Sequence, residues 1–270
     1  MKLRAASDLH NEFNEKSYSL PPLDTDHETV LILAGDLDTN GRLIKKGRTF
    51  PGDSHSTIAI HEYAERFKAV IVVLGNHDYW GSSIDTLNAR LKGILAEQGL
   101  DNVYVLDNDS VMIDGITFAG GTLWTDYNDG DPETILNAES YMNDFKKIRF
   151  RTTRKIKSAS TFHTAHRRTR KYIEQVAAST DGPVVVVTHH APSFQSIDTR
   201  FRNDKHGNGS YASDLTDVMV DNPNIKFWFH GHIHKSSYYR IGDCWVICNP
   251  RGYYGFEMNP EFNPFLQVDV

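Results

Sequence analysis

The most regular feature of the sequence is a series of short, almost wholly apolar runs separated by longer segments of mixed polarity. The runs are rich in Val, Ile and Leu, which is typical of strands that are buried on both faces of a sheet. Such runs are too short for buried helices, which need ten or more residues. The main strands are therefore predicted at residues 3–7, 29–34, 69–74, 183–188 and 225–229.

The remaining segments predict helices and hairpins around these strands. Helical periodicity is found at about 56–67, 83–97, 161–179 and 210–220. Further short strands, joined by Asp, Asn and Gly turns, are predicted at 103–106, 111–113, 117–119, 238–241, 245–248 and 266–270. Strands that alternate with helices in both halves predict one α/β domain over residues 1–270, in which two mixed sheets pack face to face beneath helices. Residues 122–165 are polar, turn-rich and then basic, and we expect an inserted cap over a site there.

Composition places the chain among ordinary globular proteins. Hydrophobic residues make up 39% of the chain and charged residues 24%. No run approaches the ~18 apolar residues of a membrane helix, so no membrane contact is expected. The N-terminus lacks an apolar signal segment, and the chain has two cysteines, Cys244 and Cys248. These features predict a cytoplasmic protein with buried, reduced thiols.

The net charge of −6 is unevenly distributed. Residues 145–171 contain 11 Lys and Arg but no Asp or Glu, which leaves 18 basic against 35 acidic residues elsewhere. An acidic body does not favour nucleic acid as a partner. The basic segment is either a solvated helical face or a contact for a phosphorylated substrate or partner. Neither the composition nor the distribution of charge indicates an oligomeric state.

Each of the main strands is followed at its carboxyl end by side chains of the types that can bind metals. This end of the strands is where α/β sheets place their binding and catalytic sites. Residues two apart on an extended chain point the same way. The side chains of Asp8 and His10 are therefore expected to lie on one side of the chain, and so are those of His232 and His234. Carboxylate, imidazole and amide ligands together suit Mn²⁺, Fe or Zn²⁺. In chain order the strand-end residues are Asp8 and His10, Asp36, Asn76 with His77 and Asp78, His189 with His190, and His232 with His234.

The blocks D-x-H, G-D, G-N-H-D, a strand-terminal His and G-H-x-H follow one another over about residues 3–250. In this order they resemble the calcineurin-like metallophosphoesterase family. The resemblance implies a four-layer α/β/β/α sandwich, two divalent metal ions, and hydrolysis of a phosphate ester by a bridging hydroxide that attacks in line. It further implies that Asp8, His10 and His234 bind one metal, that Asn76, His189 and His232 bind the other, and that Asp36 bridges them.

The resemblance also implies that His77 donates a proton to the leaving oxygen and that Asp78 orients His77. Around the substrate we expect Asn11 to line the cleft. His190 points away from its neighbour His189, and it either supports the ligands or contacts the substrate. Arg251 either meets phosphate or has a structural role.

The expected substrate is a small, nucleotide-like phosphodiester or phosphomonoester, and alternatives remain open. A Ser/Thr protein phosphatase would carry Arg at the position of Asn40 and Glu at that of Asp78. A nuclease of the break-repair type would need DNA-binding additions. A non-catalytic metal-binding scaffold would have lost a ligand or His77, and all of them are present.

Overall fold

The computed structural model describes residues 1–14, 17–39, 55–151, 154–156 and 158–270, with backbone alone at 55–58. Asn40 and Lys157, on which two of the predictions above bear, lie outside the described residues. The main strands lie within two residues of their predicted positions. In chain order the strands are β1 (Lys2–Ala6), β2 (Thr29–Ala34), β3 (Ala69–Val73), β4 (Val103–Val105), β5 (Asp109–Ile113), β6 (Ile116–Gly121), β7 (Arg149–Phe150), β8 (Arg154–Lys155), β9 (Val184–Thr188), β10 (Ile225–His230), β11 (Ser237–Ile241), β12 (Cys244–Cys248), β13 (Gly252–Tyr253), β14 (Glu257–Met258) and β15 (Gln267–Asp269).

Two predicted helices begin later than expected. The helix predicted from residue 83 begins at Leu87 because Ser83 pairs with Arg149. The helix predicted from residue 210 begins at Thr216 because Ala212 pairs with Ala191. The helices of the described residues are α1 (His55–Arg66), α2 (Asn76–Tyr79), α3 (Leu87–Glu97), α4 (Tyr127–Gly130), α5 (Pro132–Tyr141), α6 (Asp144–Lys147), α7 (Ser160–Ser179), α8 (Lys205–Asn208) and α9 (Thr216–Asp221).

The predicted pair of mixed sheets is confirmed. One sheet has the order β15-β1-β2-β3-β4 and the other the order β11-β12-β10-β9-β6-β5. β1 to β4 run parallel to one another, as do β6, β9, β10 and β12. The antiparallel strands β15, β11 and β5 lie at three of the four edges of these two sheets, and the parallel strand β4 lies at the fourth. The carboxyl ends of the parallel strands in both sheets therefore carry the loops described below.

Side-chain alternation along β9 shows how the layers are packed. Val185 and Val187 enter the apolar core between the two sheets, whereas Val184 and Val186 face the core beneath α7 and α9. On the first sheet, the outward side chains of β2 and β3 pack beneath α1 and α3 in the same way. Because both parities of each strand are buried, the strands are apolar throughout. The result is the predicted α/β/β/α sandwich.

None of the described helices is both long enough and apolar enough to cross a bilayer. Cys244 and Cys248 are buried free thiols in β12. Burial raises the pKa of Cys244 to about 12, so this thiol stays protonated at neutral pH.

One buried ion pair fixes the start of the first sheet. Arg4 in β1 is fully buried, and its Nη1 donates to Asp26 Oδ1 at 2.9 Å. Arg66 from α1 contacts the other oxygen of the same carboxylate at 2.7 Å.

Replacing Asp26 by Ala would leave the Arg4 charge buried without its partner. We expect Asp26→Ala to lower the free energy of unfolding by about 3–5 kcal/mol, measured by urea denaturation.

Asp269→Ala provides the matched control. This carboxylate is 77% exposed and lies 3.5 Å from Lys2 Nζ at the edge of the same sheet. Its loss should cost less than about 1 kcal/mol. Equal losses for the two variants would contradict the assignment of a structural role to the buried pair.

Candidate active site

Among the described residues, the loops at the carboxyl ends of the strands bring ligand-type atoms together in three groups, one of which is His10, Glu12 and His77. The other two contain residues that the resemblance assigns to metals. The first cluster is Asp8, His10 and His234, and the second cluster is Asp36, His189 and His232. Within each cluster one ligand-type atom of every residue lies within 4.8 Å of the others. Residues from distant parts of the chain thus meet in the combinations that the resemblance implies.

Asp36 lies between the two clusters. Its Oδ2 is 3.7 Å from His10 Nε2 in the first cluster and 3.4 Å from His189 Nε2 in the second. Asn76 joins the second cluster, because its Oδ1 is 3.0 Å from His189 Nε2. One carboxylate oxygen of Asp36 therefore lies within 4 Å of an imidazole nitrogen of each cluster.

The backbone at these residues is not extended. Asp8, His10 and Asp36 have φ values of 51°, 45° and 54°, and His232 and His234 have values of 70° and 51°. L residues seldom occupy this left-handed region, and those that do are held there by their surroundings. The side chains of Asp8 and His10 do meet, but the prediction that they do so by lying on an extended strand is wrong. Tight reversals of the chain turn them toward each other.

Hydrogen bonds between the loops hold this backbone in place. Asp8 N–H donates to Gly35 O at 2.9 Å and His10 N–H donates to Asp36 O at 3.0 Å. His232 N–H contacts both carboxylate oxygens of Asp8 at 3.1 Å. The approach is close, because a Cβ on Gly75 would lie 2.2 Å from Asp36 Oδ1. Only glycine fits there.

The donor set fits divalent metal ions. His232 Nε2 is buried without a hydrogen-bond partner, which is costly unless a ligand binds it. Burial opposes ionisation of Asp36, but the charges of His189, His77 and His10, with a hydrogen bond from His189, together outweigh it and hold the Asp36 pKa well below its usual range. Burial likewise opposes charge on His189, yet the Asp36 carboxylate raises the His189 pKa to about 9. A bound cation would replace that proton, since metal ligands must be deprotonated.

His77 is held on three sides. Its Nδ1 lies 3.0 Å from Glu12 Oε1, its Nε2 lies 3.2 Å from the Tyr253 hydroxyl, and Trp80 stacks on its ring at 3.5 Å. Burial opposes ionisation of Glu12, but hydrogen bonds from His10 and His77 outweigh it and lower the Glu12 pKa to about 2. Burial and nearby carboxylates raise the pKa of Tyr253, so its hydroxyl keeps its proton.

The prediction that Asp78 orients His77 is wrong. The Asp78 carboxylate accepts backbone N–H donors from Gly75 at 2.8 Å and Asp36 at 2.9 Å, and from Leu37 and Asp38 at 3.2 Å. Asp78 therefore fixes the loop that carries Asp36. A turn with several inward N–H groups offers a buried carboxylate the hydrogen-bond donors that it needs. Glu12 contacts His77 instead.

Three residues expected at the substrate lie behind the site. Asn11 is fully buried, and its Oδ1 accepts from Tyr18 N at 2.8 Å. Arg251 Nη1 donates to Leu9 O at 3.0 Å, and its guanidinium lies over the Tyr18 ring. The alternative of a structural role for Arg251 therefore agrees with the contacts, and its phosphate role does not.

His190 is also buried, next to the second cluster. Its ring centroid lies 4.2 Å from that of His232, and its Nδ1 lies 3.3 Å from Thr122 O. Burial and the charge of His189 lower its pKa to about 3, so it is neutral. These contacts agree with a supporting role beside the ligands.

Asp144 connects the segment 122–165 to the site. Its Oδ1 accepts from Asn76 Nδ2 at 3.0 Å and from Trp80 Nε1 at 2.7 Å. The first bond turns the Asn76 amide oxygen toward His189, and the second holds the indole that stacks on His77. Lys147 places its ammonium 3.5 Å from the Trp80 ring centroid. Asp144, Glu12 and Tyr253 were not predicted as site residues.

A cavity of about 670 Å³ opens above the clusters. Its floor includes Asp36, His77 and His232, and aromatic walls are formed by Tyr141 and Tyr211. None of the described basic residues of the segment 145–171 lines this cavity, and Arg170, for example, pairs with Glu174 and Asp217. The cavity has the size of a small-molecule site.

Glu12 provides a test of the site electrostatics in the metal-free protein. Its pKa falls from 4.5 in the unfolded chain to about 2 in the folded one. A depressed carboxyl pKa stabilises the fold above the unfolded pKa, and this stability is lost as pH falls through the folded pKa. We therefore expect Glu12 ionisation to contribute up to about 3 kcal/mol at pH 6 and progressively less between pH 4.5 and 2.

Urea denaturation of the wild type and Glu12→Gln across this pH range measures the contribution. The stability difference between them should shrink on acidification, whereas Glu97→Gln, at an exposed position, should show no such trend. A difference that is constant with pH would refute the electrostatic role.

Comparisons with known proteins agree with this geometry. The family model for calcineurin-like phosphoesterases matches residues 1–236. The chain is 26% identical over 290 residues to the uncharacterized protein L509 of Acanthamoeba polyphaga mimivirus, covering 99% of this chain and 96% of that protein. It is similar in fold to phosphopantetheinyl hydrolase (PptH) from Mycobacterium tuberculosis, with a TM-score of 0.65, 20% identity, and 93% and 89% of the two chains covered. The chain belongs to the calcineurin-like phosphoesterase family and is a metal-dependent phosphoester hydrolase.

Proposed function

We propose that this chain hydrolyses a small phosphodiester at the floor of the cavity, with His77 as the proton donor to the leaving group. The observation that carries the proposal is the position of His77. Its Nδ1 is fixed by an ionised carboxylate, and the residue lines the cavity beside two ligand clusters that Asp36 connects. A proton donor beside a paired metal site is the arrangement that phosphate ester hydrolysis requires.

The two clusters are the proposed metal sites. Asp8, His10 and His234 would hold one divalent ion, and Asn76, His189 and His232 the other, with Asp36 contributing to both. Carboxylate, imidazole and amide donors favour Mn²⁺, Fe or Zn²⁺. When bound, such ions supply the positive charge that activates water and stabilises the phosphoryl oxygens.

The protein's own groups keep the site in one geometry. Glu12 is a hydrogen-bond acceptor, so His77 Nδ1 carries the proton that is donated to it. The proton that His77 can release toward the substrate is therefore the one on Nε2. Asp144 holds the Asn76 amide with its oxygen toward the second cluster. Asp78 holds the loop of Asp36 through backbone donors. We assign supporting rather than reacting roles to Asp144 and Asp78.

The charges around the cavity favour a diester over a monoester. Of the basic side chains that line it, Arg200 lies 2.9 Å from Asp198 and Lys235 lies 3.8 Å from Glu261. Both cations thus have a carboxylate nearby, and Glu257 adds a further acid at the rim. A diester carries less negative charge than a monoester dianion and meets less repulsion there. The aromatic walls can stack a nucleotide-like leaving group.

Other functions of the family are less well supported. Asp78, where protein phosphatases carry Glu, is used for loop structure. The size of the cavity suits a small molecule rather than a protein loop or a duplex. A scaffold would not need His77 to be held on three sides. One similar structure is named a phosphopantetheinyl hydrolase, which adds phosphopantetheinyl compounds to those worth testing.

Replacing His77 tests the proposal. With Mn²⁺ present, we expect the wild type to hydrolyse methyl phenyl phosphate faster than phenyl phosphate, and EDTA to abolish both activities. His77→Ala should lower kcat for the diester by about 10²–10⁴-fold, since general acid catalysis contributes about that much. Bound metal, counted by elemental analysis, should stay unchanged.

His61→Ala is the control, because His61 lies on α1 and contacts Gln98. It should retain wild-type turnover. Turnover of His77→Ala equal to that of the wild type would refute the proton-donor role. Preference for the monoester would refute the diester assignment while leaving the metal chemistry in place.

A further inference from the structure

A short hairpin near the C-terminus reaches into the site from outside the family match. β13 pairs with β14 through Gly252↔Met258 and Tyr253↔Glu257, and both strands lie beyond residue 236, where the match ends. The hairpin is attached to the backbone of the first cluster, because Gly252 N–H donates to Asp8 O at 3.0 Å. Its position is therefore coupled to that of the ligand loop.

The hairpin places the Tyr253 ring against two histidines of the first cluster and its hydroxyl against His77. The Tyr253 ring centroid lies 4.4 Å from that of His10 and 4.5 Å from that of His234. The preceding Gly252 has φ +83°, and a Cβ there would lie 2.4 Å from Glu257 O, so only glycine permits this turn. The phenol oxygen, at 3.2 Å, faces His77 Nε2, which is the nitrogen left free by Glu12.

We propose that Tyr253 is a further catalytic residue that passes the proton from His77 to the leaving oxygen. This inference rests on the proposed role of His77. Either atom of this 3.2 Å contact can donate to the other, and when Nε2–H donates to the phenol oxygen, the phenol O–H is left to donate elsewhere. The phenol proton is then directed to the cavity, where the leaving group departs.

The proton transfer balances without any other reactant. As the bond from phosphorus to the leaving oxygen breaks, its electron pair stays on that oxygen. The oxygen takes the Tyr253 proton while Tyr253 takes the Nε2 proton of His77. Tyr253 ends as a neutral phenol and His77 as a neutral imidazole. The proton lost by the attacking water returns to solvent, from which His77 is recharged.

Leaving groups of graded basicity separate proton transfer from packing. Tyr253→Phe keeps the ring and removes only the hydroxyl, and aryl methyl phosphates with 4-nitrophenyl, 4-chlorophenyl and phenyl groups form the series. A relay predicts about a 10–100-fold loss of kcat for the phenyl ester and less than about threefold for the 4-nitrophenyl ester, whose leaving group needs no proton. A uniform loss, or none, would overturn the proposal.

Tyr254→Phe is the matched control on the same hairpin. Tyr254 is 52% exposed, and its ring lies near Arg251 rather than near His77. This variant should hydrolyse every ester of the series like the wild type. A loss as steep as that of Tyr253→Phe would mean that the hairpin, and not the Tyr253 hydroxyl, sets the dependence.

A double variant tests whether the two groups act in sequence. If Tyr253 relays the His77 proton, Tyr253→Phe in the His77→Ala background should lower phenyl ester turnover by less than about threefold, because coupled groups are not additive. Multiplying losses would mean that the hydroxyl acts independently of His77, and the relay would be rejected. Wild-type turnover of the 4-nitrophenyl ester separates failure of the relay from failure of the proposed function.

Two measurements without turnover complete the test. In the metal-free protein labelled with ¹⁵N-histidine, Tyr253→Phe should shift the Nε2 resonance of His77, while Tyr254→Phe should leave it in place. An unshifted resonance would overturn the contact on which the relay depends. Metal content should equal that of the wild type in both variants, and loss of metal in Tyr253→Phe would assign Tyr253 to metal binding instead.

Discussion

The burial of several carboxylates and imidazoles between two sheets is the constraint on which the rest of the structure depends. Asp8 is fully buried and Asp36 is 1% exposed, and an isolated buried carboxylate would be strongly disfavoured. Imidazoles and backbone N–H groups compensate them, and bound divalent ions would complete that compensation. This balance requires loops from both sheets to meet within a few ångströms. The left-handed backbone at five of these residues is stable only because the surrounding packing holds it.

The fold was predictable because its signal is repeated in each strand. Val184 to Val187 are apolar at both parities, and the structure uses one parity for each of two cores. The starts of α3 and α9 were not predictable, because Ser83 and Ala212 pair with residues distant in sequence. Local periodicity contains no information about such partners. The order of strands within each sheet likewise depends on long-range pairing.

The site was predictable to the extent that its residues directly follow strands. Asp36 and His189 stand where buried apolar runs end, so their type and position together are informative. Glu12 lies two residues after His10, but nothing distinguishes it from a surface acid until its contact with His77 is known. Asp78 was assigned to the wrong partner because the inward N–H groups of the Asp36 loop exist only in the folded turn. The residue type indicates which role a side chain can have, and the geometry of the folded chain decides which hydrogen-bond partner it contacts.

The positions of these side chains suggest a division of labour within the chain. Residues inside the family match form the two clusters and His77, which any phosphate ester would require. The hydroxyl that contacts His77 Nε2 comes from elsewhere, because Tyr253 lies on a hairpin beyond the match. The side chains of the hairpin can change without breaking its attachment, since backbone hydrogen bonds such as Gly252 N–H to Asp8 O join it to the ligand loop. Proton delivery to the leaving group can therefore vary while the metal chemistry beneath it stays constant.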